Sequence, residues 1–187
     1  MMNNNIISFE DFVNMTLELM RFMRKNNPKV FKGSFQDKIT IHVIRESWND
    51  KALMMNTQYD IYINARKLYK ELVNEECFKQ HPKDWCCYVA YSLLNVLMHE
   101  LRHVAQFMYL ERRLGKRRLP KFNAYYRKKY ENLGVNSPWE KDAYAFQNNK
   151  KNLQGILQYK YTADFFKGIH RLYEADIREW LKQLHKF

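Results

Sequence analysis

Residues 84–115 read DWCCYVAYSLLNVLMHELRHVAQFMYLERRLG, and the fold turns on this stretch. Val89, Leu93, Leu97, Leu101, Val104 and Met108 recur at the spacing of one helix face. The period predicts a helix from about Asp84 to about Arg113, stopped by Gly115. Within it lies His99-Glu100-Leu101-Arg102-His103. With 6 His in the chain, this HExxH pattern arises by accident in about one sequence in a hundred of similar composition. Residues four apart sit one turn apart on the same helix face, so both imidazoles point the same way and can grip one metal ion. Glu100 lies one step around, where its carboxylate reaches a water on that ion without binding the ion. Two histidines lacking that glutamate would read as polar residues on an exposed helix face.

Upstream, Ser8 caps a first helix, with Asp11 in the box position. Phe9, Phe12, Val13, Leu17, Met20 and Met23 or Arg24 recur near the helical period as its apolar stripe, and Asn26-Asn27-Pro28 stops it. Two alternating runs follow, Lys38–Arg45 and Tyr59–Asn64, and predict strands. The connection through Ser47, Asn49 and Asp50 reads as a turn or loop, and a short helix is expected from Ala65 to about Phe78. Downstream of Pro120 lies a Tyr- and Lys-rich stretch, read as an extra helix or a lid. Asn136-Ser137-Pro138-Trp139-Glu140 is a strong helix start, and a last helix runs from Asp164 to Leu184. The pattern is α+β, mostly helical with a small sheet, in a single domain spanning 1–187.

A catalytic zinc usually takes three protein ligands and a water. The short extension HExxHxxGxxH would need Gly at 106 and His at 109, where the chain has Gln106 and Tyr109. Histidines further on are His170 and His185. A carboxylate on the following helix is the other solution, and Glu140 is well placed. Glu140 has a competing role, because it completes a capping box with Ser137. Asp142 is the reserve ligand, about 200° around the helix from Glu140. Tyr125, Tyr126, Tyr144 and His170 are candidate donors to an oxyanion, without a reason to choose among 13 Tyr. His42 alternates with Ile41 and Val43 and reads as a surface histidine, His81 reads as a loop residue without a role, and Cys86 and Cys87 read as buried thiols.

The 187 residues carry 32 Lys and Arg against 20 Asp and Glu, a formal charge of +12. Such an excess favours polyanions or an acidic protein partner. Arg112, Arg113, Lys116, Arg117 and Arg118 either complement the negative end of the long helix or form part of such a patch. Hydrophobic residues at 46% argue against disorder. Three cysteines without CxxC spacing argue against a disulfide scaffold or a cysteine zinc site. Nothing resembles a membrane span, and Met1-Met2-Asn3-Asn4-Asn5 lacks the layout of a secretory signal, so a soluble cytoplasmic protein is expected.

The run His99–Gln106, followed by Glu140-Lys141-Asp142-Ala143-Tyr144-Ala145-Phe146, resembles the zincin metallopeptidases with a glutamate third ligand, and among them the small ImmA/IrrE-like proteins. Glu140, Ala143 and Phe146 match the second motif of that group, Asp142 stands for its second acid, and Gln147 departs from its usual small residue. The likeness spans about residues 84–150. It implies a minimal zincin fold, zinc held by His99, His103 and Glu140, and Glu100 as general base. It also implies a peptidase acting on a protein or peptide substrate, such as a repressor met in trans. Substrate would lie along an edge strand, for which Tyr59–Asn64 is the candidate. The alternative is a basic nucleic-acid- or protein-binding module on the same fold, without proteolysis.

Overall fold

Ser8 opens the first helix, α1 (Phe9–Asn26), in a computed structural model that describes residues 7–26, 39–45, 52–55, 59–74, 76, 79, 85–149, 151 and 165–184. Its Oγ accepts from the Asp11 amide at 3.1 Å and donates to the Asp11 carboxylate at 2.7 Å, which satisfies one of the orphan amides of the first turn. Of the predicted stripe, Phe12, Val13 and Met20 are buried and Phe9 and Leu17 half-buried, while the side chain at 23 lies outside the described residues. Between them the buried Thr16 hydroxyl donates back to the Phe12 carbonyl at 2.8 Å, so it costs the core no unpaired polar group.

Three strands follow: β1 (Thr40–Ile44), β2 (Ala52–Met55) and β3 (Asp60–Asn64), in the order β1-β3-β2. β3 runs parallel to β1, with Ile41 opposite Ile61, and antiparallel to β2, with Met54 opposite Ile61. This corrects the sequence expectation that Tyr59–Asn64 is an edge strand for substrate. It is the central strand, and Ile61 and Ile63 are essentially inaccessible. The misreading has a physical cause. Ala52-Leu53-Met54-Met55 shows neither alternation nor β-branching, so nothing local marks it as the strand that covers the second edge of β3. β3 passes straight into α2 (Ala65–Leu72), where Asn64 Oδ1 accepts from the Lys67 amide at 3.0 Å.

The long helix is α3 (Trp85–Leu114), within a residue of its predicted bounds. All six residues of its predicted stripe are buried, and so are Leu94, Met98, Ala105 and Leu110. Burial on more than one face makes it the central helix of the protein. Gly115, at φ +75°, donates its amide to the Glu111 carbonyl at 2.8 Å, the left-handed stop that a side chain would strain. Cys86 and Cys87 are exposed, contrary to the expectation of buried thiols, because both precede the stripe that starts at Val89.

The Tyr- and Lys-rich stretch forms α4 (Leu119–Tyr130), a packed helix and not a lid. Its Phe122 and Tyr126 are buried against the last helix, α6 (Ile169–Leu184), with ring centroids 5.5 Å apart for Phe122–Trp180 and 5.0 Å for Tyr126–Tyr173. Between them come a 3-10 turn, Glu131–Asn136, and α5 (Pro138–Gln147). The expectations for Pro28, the turn at 47–50, Cys77, Phe78, His81, the helix start at Asp164 and His185 lie outside the described residues. The architecture is α+β, mostly helical with a small sheet. Among the described residues no helix is long and apolar enough to cross a membrane.

Candidate metal centre

The site forms where α5 lies along α3. Ser137 is extended (φ −61°, ψ 153°), Pro138 sets the first helical turn, and the Lys141 amide donates to the Ser137 carbonyl at 2.9 Å. The small Ala143, fully buried, and Phe146, 9% exposed, form the stripe by which α5 packs. At about 100° per residue, Glu140 and Asp142 fall on opposite flanks of that stripe. Each therefore meets a different ladder of α3: Glu140 faces His99 and His103, and Asp142 faces Arg102 and Gln106.

Three donor side chains converge at the first ladder. His99 Nε2 and His103 Nε2 are 3.1 Å apart. Glu140 Oε2 lies 3.2 Å from His99 Nε2, and Oε1 lies 3.5 Å from His103 Nε2. A tetrahedral ion bound at about 2.0–2.1 Å separates its ligand atoms by roughly 3.3–3.4 Å. The three observed separations straddle that value, and two imidazoles with a carboxylate are a donor set that suits zinc. Both histidines are 9% exposed. Trp139 Nε1 donates to Glu140 Oε1 at 3.1 Å and steadies the carboxylate.

Glu140 thus points to the histidines. The capping alternative is not realised: Ser137 occupies the cap position, but its Oγ makes no cap bond and is buried without a partner among the described residues. Asp142, the reserve ligand, binds the Arg102 guanidinium instead, with Nε and Nη2 at 2.7 and 2.9 Å. Arg102 Nη1 reaches the Phe165 carbonyl at 2.6 Å, and Nη2 also reaches the Lys167 carbonyl at 3.0 Å. Gln106 Nε2 donates to Asp142 Oδ2 at 2.7 Å and to the Trp139 carbonyl at 3.1 Å, while its Oε1 lies 3.0 Å from His103 Nδ1.

The electrostatics follow from burial and from this convergence. Burial holds Glu100, 7% exposed, above the ordinary carboxylate range; the imidazoles of His103 and His99 oppose that shift and Glu140 adds to it. Burial disfavours the charged form of His103, but its hydrogen bond to Glu140 and the charges of Glu100 and Glu140 outweigh burial and raise it. Burial likewise pushes Glu140 up, yet the hydrogen bonds from His103 and His99 bring it far below the usual carboxylate range, so it stays ionised.

Of the oxyanion candidates, Tyr144 is the one whose ring meets a site residue, 4.6 Å from His99 between centroids and 42% exposed. Tyr125 and Tyr126 belong to the aromatic layer between α4 and α6, and His170 is exposed at the head of α6. His42 pairs loosely with Asp60 at 3.4 Å and stacks on Tyr62 of the neighbouring strand, with its side chain 40% exposed, away from the site. Arg102 and Gln106 are participants that the motif does not reveal. In the sequence one is a spacer inside HExxH and the other excludes a longer motif; their signal is two polar residues four apart on an otherwise apolar stretch. No family model, no curated protein and no solved structure matches this chain.

Proposed function

We propose that this protein is a zinc-dependent metallopeptidase of the zincin type, with His99, His103 and Glu140 as ligands and Glu100 as general base. The observation that carries the reading is the convergence of three metal-ligating side chains from two helices, with donor atoms within 4.8 Å of one another. A bound zinc ion would supply Lewis acidity, lowering the pKa of water and polarising a carbonyl. Glu100, beside His99 and held high by burial, takes the proton from the attacking water and passes it to the departing amine. Tyr144, whose exposed ring lies beside His99, would be the donor to the carbonyl oxygen as charge develops. An extended peptide would pair with β2, the edge strand that packs on the active-site helix. Two exposed free thiols, Cys86 and Cys87, suit a reducing compartment, and we place the protein in the cytoplasm.

Protein purified without added zinc should contain close to one equivalent of zinc, and His103→Ala should lose it. Glu100→Gln should keep the metal while peptide hydrolysis disappears. Wild-type protein that takes up no zinc from buffered solution, or Glu100→Gln with undiminished hydrolysis, overturns the assignment.

A second reading, contact with a polyanion, draws on one feature. Residues 112–130 contain nine Lys and Arg and no Asp or Glu. Arg113 and Lys129 are tied to α6, whereas Arg112, Lys116, Arg117, Arg118, Lys121, Arg127 and Lys128 are all exposed. This surface would bring a nucleic acid, or a substrate bound to one, to the protein; it competes with the peptidase reading only if Glu100 proves dispensable.

A further inference from the structure

We infer that Gln106, held by Asp142 and Arg102, is a positioning residue that fixes His103 in its Nδ1–H tautomer and leaves the Nε2 lone pair facing Glu140 and His99. The inference rests on the metal-site reading above and adds what presets one of its ligands. The amide orientation of Gln106 follows from its neighbours. Its Nε2 side faces two acceptors, the Trp139 carbonyl at 3.1 Å and Asp142 Oδ2 at 2.7 Å. A flipped amide would set a carbonyl oxygen against both, so Oε1 must be the atom 3.0 Å from His103 Nδ1. An acceptor at that position demands a donor, and the ring proton therefore sits on Nδ1. The Tyr173 hydroxyl donates to the same Oε1 at 3.4 Å and favours the same orientation.

Asp142 is itself fixed by the two-point grip of Arg102. Arg102 spends its other donors on the carbonyls of Phe165 and Lys167, in the turn that leads into α6. Arg102 and Gln106 are each 3% exposed, so water does not compete for these bonds. One imidazole is thereby braced through three parts of the fold: α3, α5 and the turn before α6. His99 differs, since its Nδ1 is buried without a partner among the described residues. The site has one imidazole whose Nδ1 is preset and one whose Nδ1 has no such brace among the described residues.

The test uses zinc as the only probe, with two readouts. Nitrogen NMR of the His103 ring in metal-free protein at about pH 9, above the ordinary imidazole range, should show the Nδ1–H tautomer in wild type. Gln106→Leu should populate the Nε2–H form and weaken zinc, measured by competition with a chromophoric chelator, about 10–100-fold. An Nε2–H tautomer in wild type overturns the inference. So does Gln106→Leu that retains both tautomer and affinity, whatever its thermal stability. Should Gln106→Leu fail to fold, the wild-type spectrum decides alone. Wild type that binds no zinc refutes the metal reading, and the ring spectrum still judges this one.

Discussion

Arg102→Met should be among the most damaging single changes in this protein, and its cost can be worked from the contacts. The guanidinium is almost fully buried and makes four hydrogen bonds, two to the Asp142 carboxylate and two to main-chain carbonyls of the turn before α6. Removing one partner of a buried ion pair costs about 3–5 kcal/mol, because the other charge stays behind. The Asp142 side chain is 25% exposed and keeps the Gln106 donor, which favours the low end. The stranded carbonyls of Phe165 and Lys167 add about 1–3 kcal/mol each when they stay dry. Taking the low end of each contribution, a total of about 5 kcal/mol is expected, lowering Tm by roughly 10–20 °C for a chain of this length. Urea unfolding of the metal-free protein followed by circular dichroism measures it without contribution from metal binding. Arg102→Lys keeps the charge but loses the fork, and should recover less than half. A loss below about 1 kcal/mol for Arg102→Met would refute the reasoning.

Phe122→Ala should cost about 3–5 kcal/mol in the same assay, since the ring is fully buried among Tyr126, Tyr173 and Trp180. Glu174 accepts from Arg113 at 2.9 Å and from the Tyr109 hydroxyl at 2.6 Å, and these bonds pull its carboxyl below the ordinary value against a small opposing effect of burial. A lowered folded pKa gives stability that is present above the unfolded value and lost as pH falls through the folded one. Glu174→Gln should therefore be less stable than wild type by about 0.5–1 kcal/mol at pH 7, with the gap closing in acid; a gap that widens in acid has the wrong sign. If the exposed cations of residues 112–130 meet nucleic acid, replacing Arg117, Lys121 and Lys128 together by Ala should lower the slope of log K against log salt by about 2–3 in fluorescence titrations with a duplex. An unchanged slope removes that surface from consideration.

Much of the fold is legible locally, and the exceptions have a common cause. The helix through His99 and His103 announces itself because its apolar residues and its stop at Gly115 act within a few residues of one another. The Ser8 cap and the Pro138 start are local in the same sense. β2 escapes notice because Ala52–Met55 becomes a strand only by pairing with β3, and that pairing moves Tyr59–Asn64 from edge to centre. The exposure of Cys86 and Cys87 likewise depends on what packs around the first turn of α3.

The candidate site divides along the same line. Two imidazoles one turn apart, with a carboxylate next to the first, follow from helix geometry, so the sequence alone determined them. Whether Glu140 caps its own helix or turns toward the histidines is a choice between a contact within one turn and a contact across two helices. Packing of Ala143 and Phe146 against the core settles it by laying α5 along α3, with one acid on each flank. The same packing gave Asp142 to Arg102 and Gln106 to His103. No local rule contains those partners, because they are close only once residues far apart in the chain share a core.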